Sequence, residues 1–146
     1  MTDFALPASL AEIRDDFLEL PEAERLMLLL EFSGELPPVP PEYEGRPELA
    51  ERVVECQSPV FIIVDVDDAG IVSMHATAPA EAPTTRGFAS ILVQGLTGLT
   101  AEQVLAVPND FPQSIGLTRA VSPLRIGGMT GMLMRAKRQV QAKSSA

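Results

Sequence analysis

The stretch from Val60 to Ala76 constrains this chain most. Val60-Phe61-Ile62-Ile63-Val64-Asp65-Val66 is a nearly unbroken run of β-branched and aromatic residues, Asp67-Asp68-Ala69-Gly70 carries turn chemistry, and Ile71-Val72-Ser73-Met74-His75-Ala76 resumes the strand pattern. The pattern predicts an antiparallel hairpin. A shorter run, Glu51-Arg52-Val53-Val54, precedes it and predicts a third strand. Between that run and the hairpin stands Cys56, the only cysteine in 146 residues. Gln57, Ser58 and Pro59 follow it, and a polar segment broken by proline reads as a loop that places the thiol at the bend between strands.

Helical spacing surrounds this sheet. Ser9 and Glu12 have the spacing of a capping box, and Leu10, Ile13, Phe17 and Leu20 recur at helical intervals, which predicts a helix over about residues 10–20. Pro21 suits the first turn of a second helix that runs through Leu26-Met27-Leu28-Leu29-Leu30 to Phe32 and stops at Gly34. The two helices are expected to form a hairpin, and the apolar positions nearly all round the second predict that it is covered on more than one side. Residues 36–47 hold five prolines in twelve positions, which rules out regular structure and reads as an extended crossing segment.

Residues 76–85 read as a loop, and helical signals return at Arg86, with Phe88, Leu92 and Leu96 on one stripe and Gly98 near the stop. Thr100-Ala101-Glu102-Gln103 is a second capping box, opening a short helix that ends before Pro108. Residues 109–117 read as a loop or a single helical turn. Ser122-Pro123 opens a last helix, where Met129, Met132 and Met134 are expected to pack and Arg135-Ala136-Lys137-Arg138 is expected to place positive charge at the negative end of the dipole. The elements together predict an α+β fold: a small antiparallel sheet of about three strands flanked by helices, in a single domain over residues 1–146.

Charge narrows the function. Residues 1–56 carry 14 acidic and 4 basic side chains and residues 57–146 carry 6 and 7, so the net charge of −9 lies in the first part of the chain. An acidic surface repels phosphate backbones and anionic headgroups, so neither nucleic acid nor a membrane surface is an expected partner; a protein with a basic patch is. The N-terminal residues lack the pattern of a signal peptide, and no apolar run approaches the roughly 18 residues of a membrane span. With one unpaired cysteine, the expected location is the cytoplasm.

The chemistry available is sparse. One cysteine and one histidine, Cys56 and His75, cannot supply the ligands of a zinc site or an iron-sulfur cluster, and Gly127, Gly128 and Gly131 lack the spacing of a phosphate loop, so no metal or cofactor is expected. Asp65, Asp67 and Asp68 read as turn chemistry rather than a cation loop. His75 reads as a half-buried strand residue rather than a base for Cys56. By composition alone a lone cysteine is more often packed than reactive, and Glu55 beside it raises the thiol pKa, which argues against a peroxide sensor. Arg125 or Arg86 are the cations expected to compensate.

The residues around the thiol carry a resemblance. Glu55-Cys56-Gln57-Ser58-Pro59-Val60-Phe61 resembles the G-C-Q-S-x-V-W motif of the SufE family of sulfur-acceptor proteins, with Glu55 in place of glycine and Phe61 in place of tryptophan. Residues 86–92 resemble that family's K/R-G-L-x-A helix start, residues 99–104 its T-P-E-x-I step, and residues 117–128 its L-(S/T)-P-x-R-x-x-G-L segment. The resemblance spans about residues 10–140. It implies a helix-flanked sheet similar to the scaffold proteins of iron-sulfur assembly. Cys56 would take persulfide sulfur from a cysteine desulfurase and pass it on to a scaffold protein, activating the desulfurase. Glu55, Gln57 and Ser58 would shape the loop, and Arg125 would orient it or meet the partner. Pyridoxal phosphate chemistry would belong to the desulfurase. The other reading of the residues is a non-catalytic binding module that regulates a partner desulfurase.

Overall fold

A computed structural model of the chain describes residues 6–43 and 46–144. The expected hairpin forms, and the third strand forms over only Glu51–Arg52 of the expected residues 51–54: β1 (Glu51–Arg52), β2 (Phe61–Val66) and β3 (Val72–Thr77) make an antiparallel sheet in the order β1-β2-β3. The register runs from Phe61 opposite Thr77 to Val66 opposite Val72, and β1 sets Glu51 opposite Ile62 and Arg52 opposite Phe61. Asp67 closes the turn by accepting the amides of Ala69 and Ile71, each at 2.9 Å, and Gly70 supplies the positive φ of +80° that the turn requires.

The pleat gives the sheet two faces. Ile62, Val64, Val72, Met74 and Ala76 are buried on one, where α3 (Pro83–Leu96) and α6 (Pro123–Ser144) cover the strands. Phe61, Ile63, His75 and Thr77 lie on the other, under Pro38, Val39 and Tyr43 of the proline-rich crossing, which is not wholly irregular as expected but takes a 3-10 turn at Pro41–Tyr43. Around α3 pack α1 (Ala8–Glu19) and α2 (Glu22–Gly34). These two meet through the stacked rings of Phe17 and Phe32, whose centroids are 5.8 Å apart. Two short helices, α4 (Ala101–Leu105) and α5 (Phe111–Ser114), pack on α6. A Cβ at Gly87 would stand 2.5 Å from the carbonyl oxygen of Leu29, so α2 and α3 approach more closely than any side chain there would allow.

Several local expectations are corrected. Ser9 does not cap α1, which begins at Ala8; its hydroxyl donates instead to the Gly95 carbonyl of α3 at 2.7 Å, a tertiary bond that outcompetes the local one. Helix α3 starts at Pro83 rather than Arg86, because proline at the first helical position brings the required φ already set, so the preceding loop ends sooner. Helix α2 is not covered all round: Leu26, Met27 and Leu30 are 37%, 65% and 40% exposed. Met129 and Met132 are buried, whereas Met134 is 45% exposed. Helix α6 continues to Ser144, so the cations at 135–138 fall inside the helix and not at its end. Thr100 and Gln103 do form their reciprocal capping box.

Candidate functional site

The loop between β1 and β2 is pinched at its base. Val53 and Val60 are both fully buried, and the Val53 amide donates to the Val60 carbonyl at 2.9 Å, leaving residues 54–59 as a flap. Within the flap Val54 is 69% exposed, while Cys56 is turned inward and 7% exposed, its amide donating to the Val53 carbonyl at 3.1 Å.

Inward of the flap runs α6. A Cβ at Gly128 would lie 3.0 Å from the Cys56 Sγ, so the thiol rests on the helix where a side chain is missing. Beside it opens a cavity of about 230 Å³, walled by residues 55–58 of the flap, residues 81–85 at the start of α3, and Leu124, Arg125 and Gly128 of α6. Glu55, Cys56, Gln57, Ser58 and Arg125, separated by up to 70 positions in the chain, therefore line one chamber.

Two charges next to the thiol oppose each other. Burial pushes the Cys56 pKa up to about 11, the Glu55 carboxylate adds to the rise, and the Arg135 guanidinium works against it. Glu55 is itself ion-paired with Arg135, whose hydrogen bond holds the carboxyl below its usual range. The compensating cation is thus Arg135, and neither cation expected from the sequence fills that place. Arg86 is occupied elsewhere, donating to the Ser33 carbonyl at 3.0 Å and the Ala78 carbonyl at 2.7 Å. Arg125 lines the chamber from an exposed position. The signal for Arg135 was present: Gly128, Gly131 and Arg135 follow at i, i+3 and i+7, one face of a helix.

His75 lies apart from the thiol. Its ring packs on Tyr43 with centroids 5.0 Å apart, in a second, mostly apolar cavity of about 430 Å³ on the outer face of the sheet, and burial lowers its pKa. Phe61 lines that same second cavity and lies under the Arg52 guanidinium at 6.0 Å. Among the described residues no three His, Cys, Asp or Glu side chains gather as metal ligands, and no helix is long and apolar enough to cross a membrane.

A small antiparallel sheet, helices over one face, and one recessed cysteine on a flap define a class of protein that presents a single thiol beside a chamber. A model of the family described as "SufE: Fe-S metabolism associated domain" matches residues 11–140. The chain belongs to the SufE family. It is 50% identical over 137 residues to an uncharacterized SufE-like protein of Mycobacterium tuberculosis, covering 94% of each chain. It is 29% identical over 102 residues to a protein of Plasmodium vivax named cysteine desulfuration protein SufE, covering 69% of this chain and 39% of that one. A solution structure of a hypothetical protein from Thermus thermophilus superposes with a TM-score of 0.84 at 38% identity, over 97% of this chain and 99% of that chain.

Proposed function

We propose that this chain, acting as one domain in the cytoplasm, accepts sulfur on Cys56 from the persulfide of a cysteine desulfurase and delivers it toward iron-sulfur cluster assembly. Family membership supports a sulfur-transfer role. The observation that carries the reading to a residue is the placement of the chain's one thiol on a flap against a chamber of about 230 Å³. In the transfer, the Cys56 thiolate attacks the terminal sulfur of the partner's persulfide. One S–S bond forms on Cys56 as the partner's S–S bond breaks, the electron pair leaves on the partner's thiolate, and the Cys56 proton passes to solvent or to a partner base. No net oxidation occurs.

With a thiol pKa of about 11, on the order of one molecule in ten thousand is a thiolate at pH 7, so the free protein is a slow nucleophile. Docking with a basic partner surface that draws the flap out of its apolar seat removes the main cause of that rise. The chain would thereby be reactive mainly in the complex and would activate the desulfurase by clearing its persulfide. In this reading Glu55, Gln57 and Ser58 shape the flap, and Arg125, which lines the chamber and is exposed, meets the partner.

The burial of Cys56 favours one other reading, a non-catalytic module that regulates a desulfurase and uses the cysteine for packing. Intact-protein mass spectrometry after incubation with a desulfurase, pyridoxal phosphate and free cysteine separates the two. Sulfur-sized, reductant-sensitive additions on the wild type and none on Cys56→Ser are expected. Isotopic sulfur that stays wholly on the desulfurase while the two proteins bind would leave the regulatory module standing.

A further inference from the structure

The flap needs something beyond its neck to hold it closed, and its tip meets α6 at two adjoining points. At one, Cys56 rests on Gly128. At the other, the Glu55 side chain lies over Gly131, where a Cβ would come within 2.8 Å of Glu55 Cδ and 2.9 Å of Oε1, and reaches the Arg135 guanidinium. Arg135 also has a contact outside the flap: its side chain is 14% exposed, and its Nε, which makes no hydrogen bond, is ion-paired with Oε2 of Glu51 at 3.4 Å. Glu51 is held in turn by Arg138 and by Gln139, whose Nε2 donates to it at 3.0 Å. Gly131 gives up helix propensity inside a 22-residue helix, and what its missing side chain makes room for is Glu55. Gly127, in the same helix, faces nothing within 4 Å, so small size there serves no such contact.

We propose that Glu55, Arg135 and Gly131 form a closure that seats the flap on α6, so that Cys56 is reached only when the Glu55–Arg135 contact lets go. The inference rests on the sulfur-acceptor reading only for its purpose; the closure itself concerns access to the thiol. Glu55 and Arg135 are positioning residues, acting through the flap and not on sulfur. The Glu55 side chain is 45% exposed, and an ion pair open to water on one side is weak enough for a docking partner to exchange for its own contacts. The ion pair of Arg135 with Glu51 does not involve the flap and so is not broken by the release of Glu55.

The test is the rate at which iodoacetamide alkylates Cys56 in the full chain, with folding checked by circular dichroism. Gly131→Ala changes no charge, favours helix, and crowds Glu55 off its seat. Arg135→Gln removes the cation that favours the thiolate, so through charge alone it slows alkylation, whereas through the closure it speeds it. Both variants are expected to react roughly two- to fivefold faster than wild type, the population shift that a half-exposed ion pair supports, with Gly127→Ala at the wild-type rate. Either variant reacting at or below the wild-type rate overturns the closure, and if Gly131→Ala does not fold, Arg135→Gln decides alone. Because alkylation needs no desulfurase, faster variants of a protein that takes up no sulfur would refute the acceptor reading and leave the closure intact.

Discussion

Gln139 of α6 stands in for a missing strand at Val64 of β2. Strand β1 pairs only with Phe61 and Ile62, so among the described residues the edge of β2 beyond them has no strand partner; there the Val64 amide donates to Oε1 of Gln139 at 2.9 Å, and Lys143 donates to the Val64 carbonyl. The helix behind the flap is thereby fastened to the strand that follows it. Gln139→Leu leaves a part-buried amide unpaired and is expected to cost about 1–3 kcal/mol in urea denaturation. A variant as stable as wild type would show that water or a shifted side chain satisfies Val64 equally well.

Thiol titration should appear in stability as well as in reactivity. Cys56 has a folded pKa of about 11, above the ordinary thiol value, so the folded state holds this proton more tightly than the unfolded chain. The contribution is therefore fully present below about pH 9 and is lost as pH rises from there to 11, a total on the order of 3 kcal/mol. Urea midpoints measured from pH 8 to 11 should fall more steeply for wild type than for Cys56→Ser. Alkylation of the wild type should rise about tenfold per pH unit between 7 and 10; a plateau near pH 9 would mean the thiol is not held protonated by burial.

Arg86 has a structural task that is separate from the thiol. Its guanidinium bridges the carbonyls of Ser33 and Ala78, tying the end of α2 to the strand-to-helix connection. Arg86→Met should destabilise by about 2–3 kcal/mol, since both bonds are charge-assisted. The pH dependence of Cys56 alkylation should stay unchanged, and a shifted profile would place Arg86 nearer the thiol than its contacts indicate.

Thr100 begins α4 with a complete capping box, accepting from the Gln103 amide at 3.1 Å while Gln103 accepts from the Thr100 amide at 2.9 Å. Thr100→Ala is expected to cost about 1 kcal/mol. Thermal melting measures it, and an unchanged midpoint would mean that the neighbouring bridge between Ile71 and Thr100 already fixes the start of this helix.

The parts of the fold that were legible in the chain are those decided by neighbouring residues. The hairpin follows from β-branched runs on either side of Asp67 and Gly70, and the α4 cap from residues three apart. The thiol's loop was legible because polar residues and proline interrupt an apolar run. What escaped local reading depends on residues far apart. Ser9 has a capping partner three residues away, yet bonds to Gly95, 86 positions on. Arg135 pairs with Glu55 across 80 positions; the glycine face of α6 singles Arg135 out, but nothing near it points to Glu55 as the partner. The cations at 135–138 read as a basic helix end, but Arg135 and Arg138 reach Glu51 and Glu55, and Lys137 donates to the Val107 carbonyl at 2.7 Å. The acidic first part of the chain is thus partly neutralised by the helix that closes it.

The pinch between Val53 and Val60 also sets a tether length. Cys56 is three residues beyond Val53, and an extended chain spans at most about 3.3–3.6 Å per residue, so the Cys56 Cα swings no farther than about 11 Å from its fixed neck, and the thiol only a side chain beyond that. So short a leash keeps the thiol within one small patch of the surface. If Cys56 takes and passes on sulfur, as proposed, donor and recipient must each come to that same patch, one after the other.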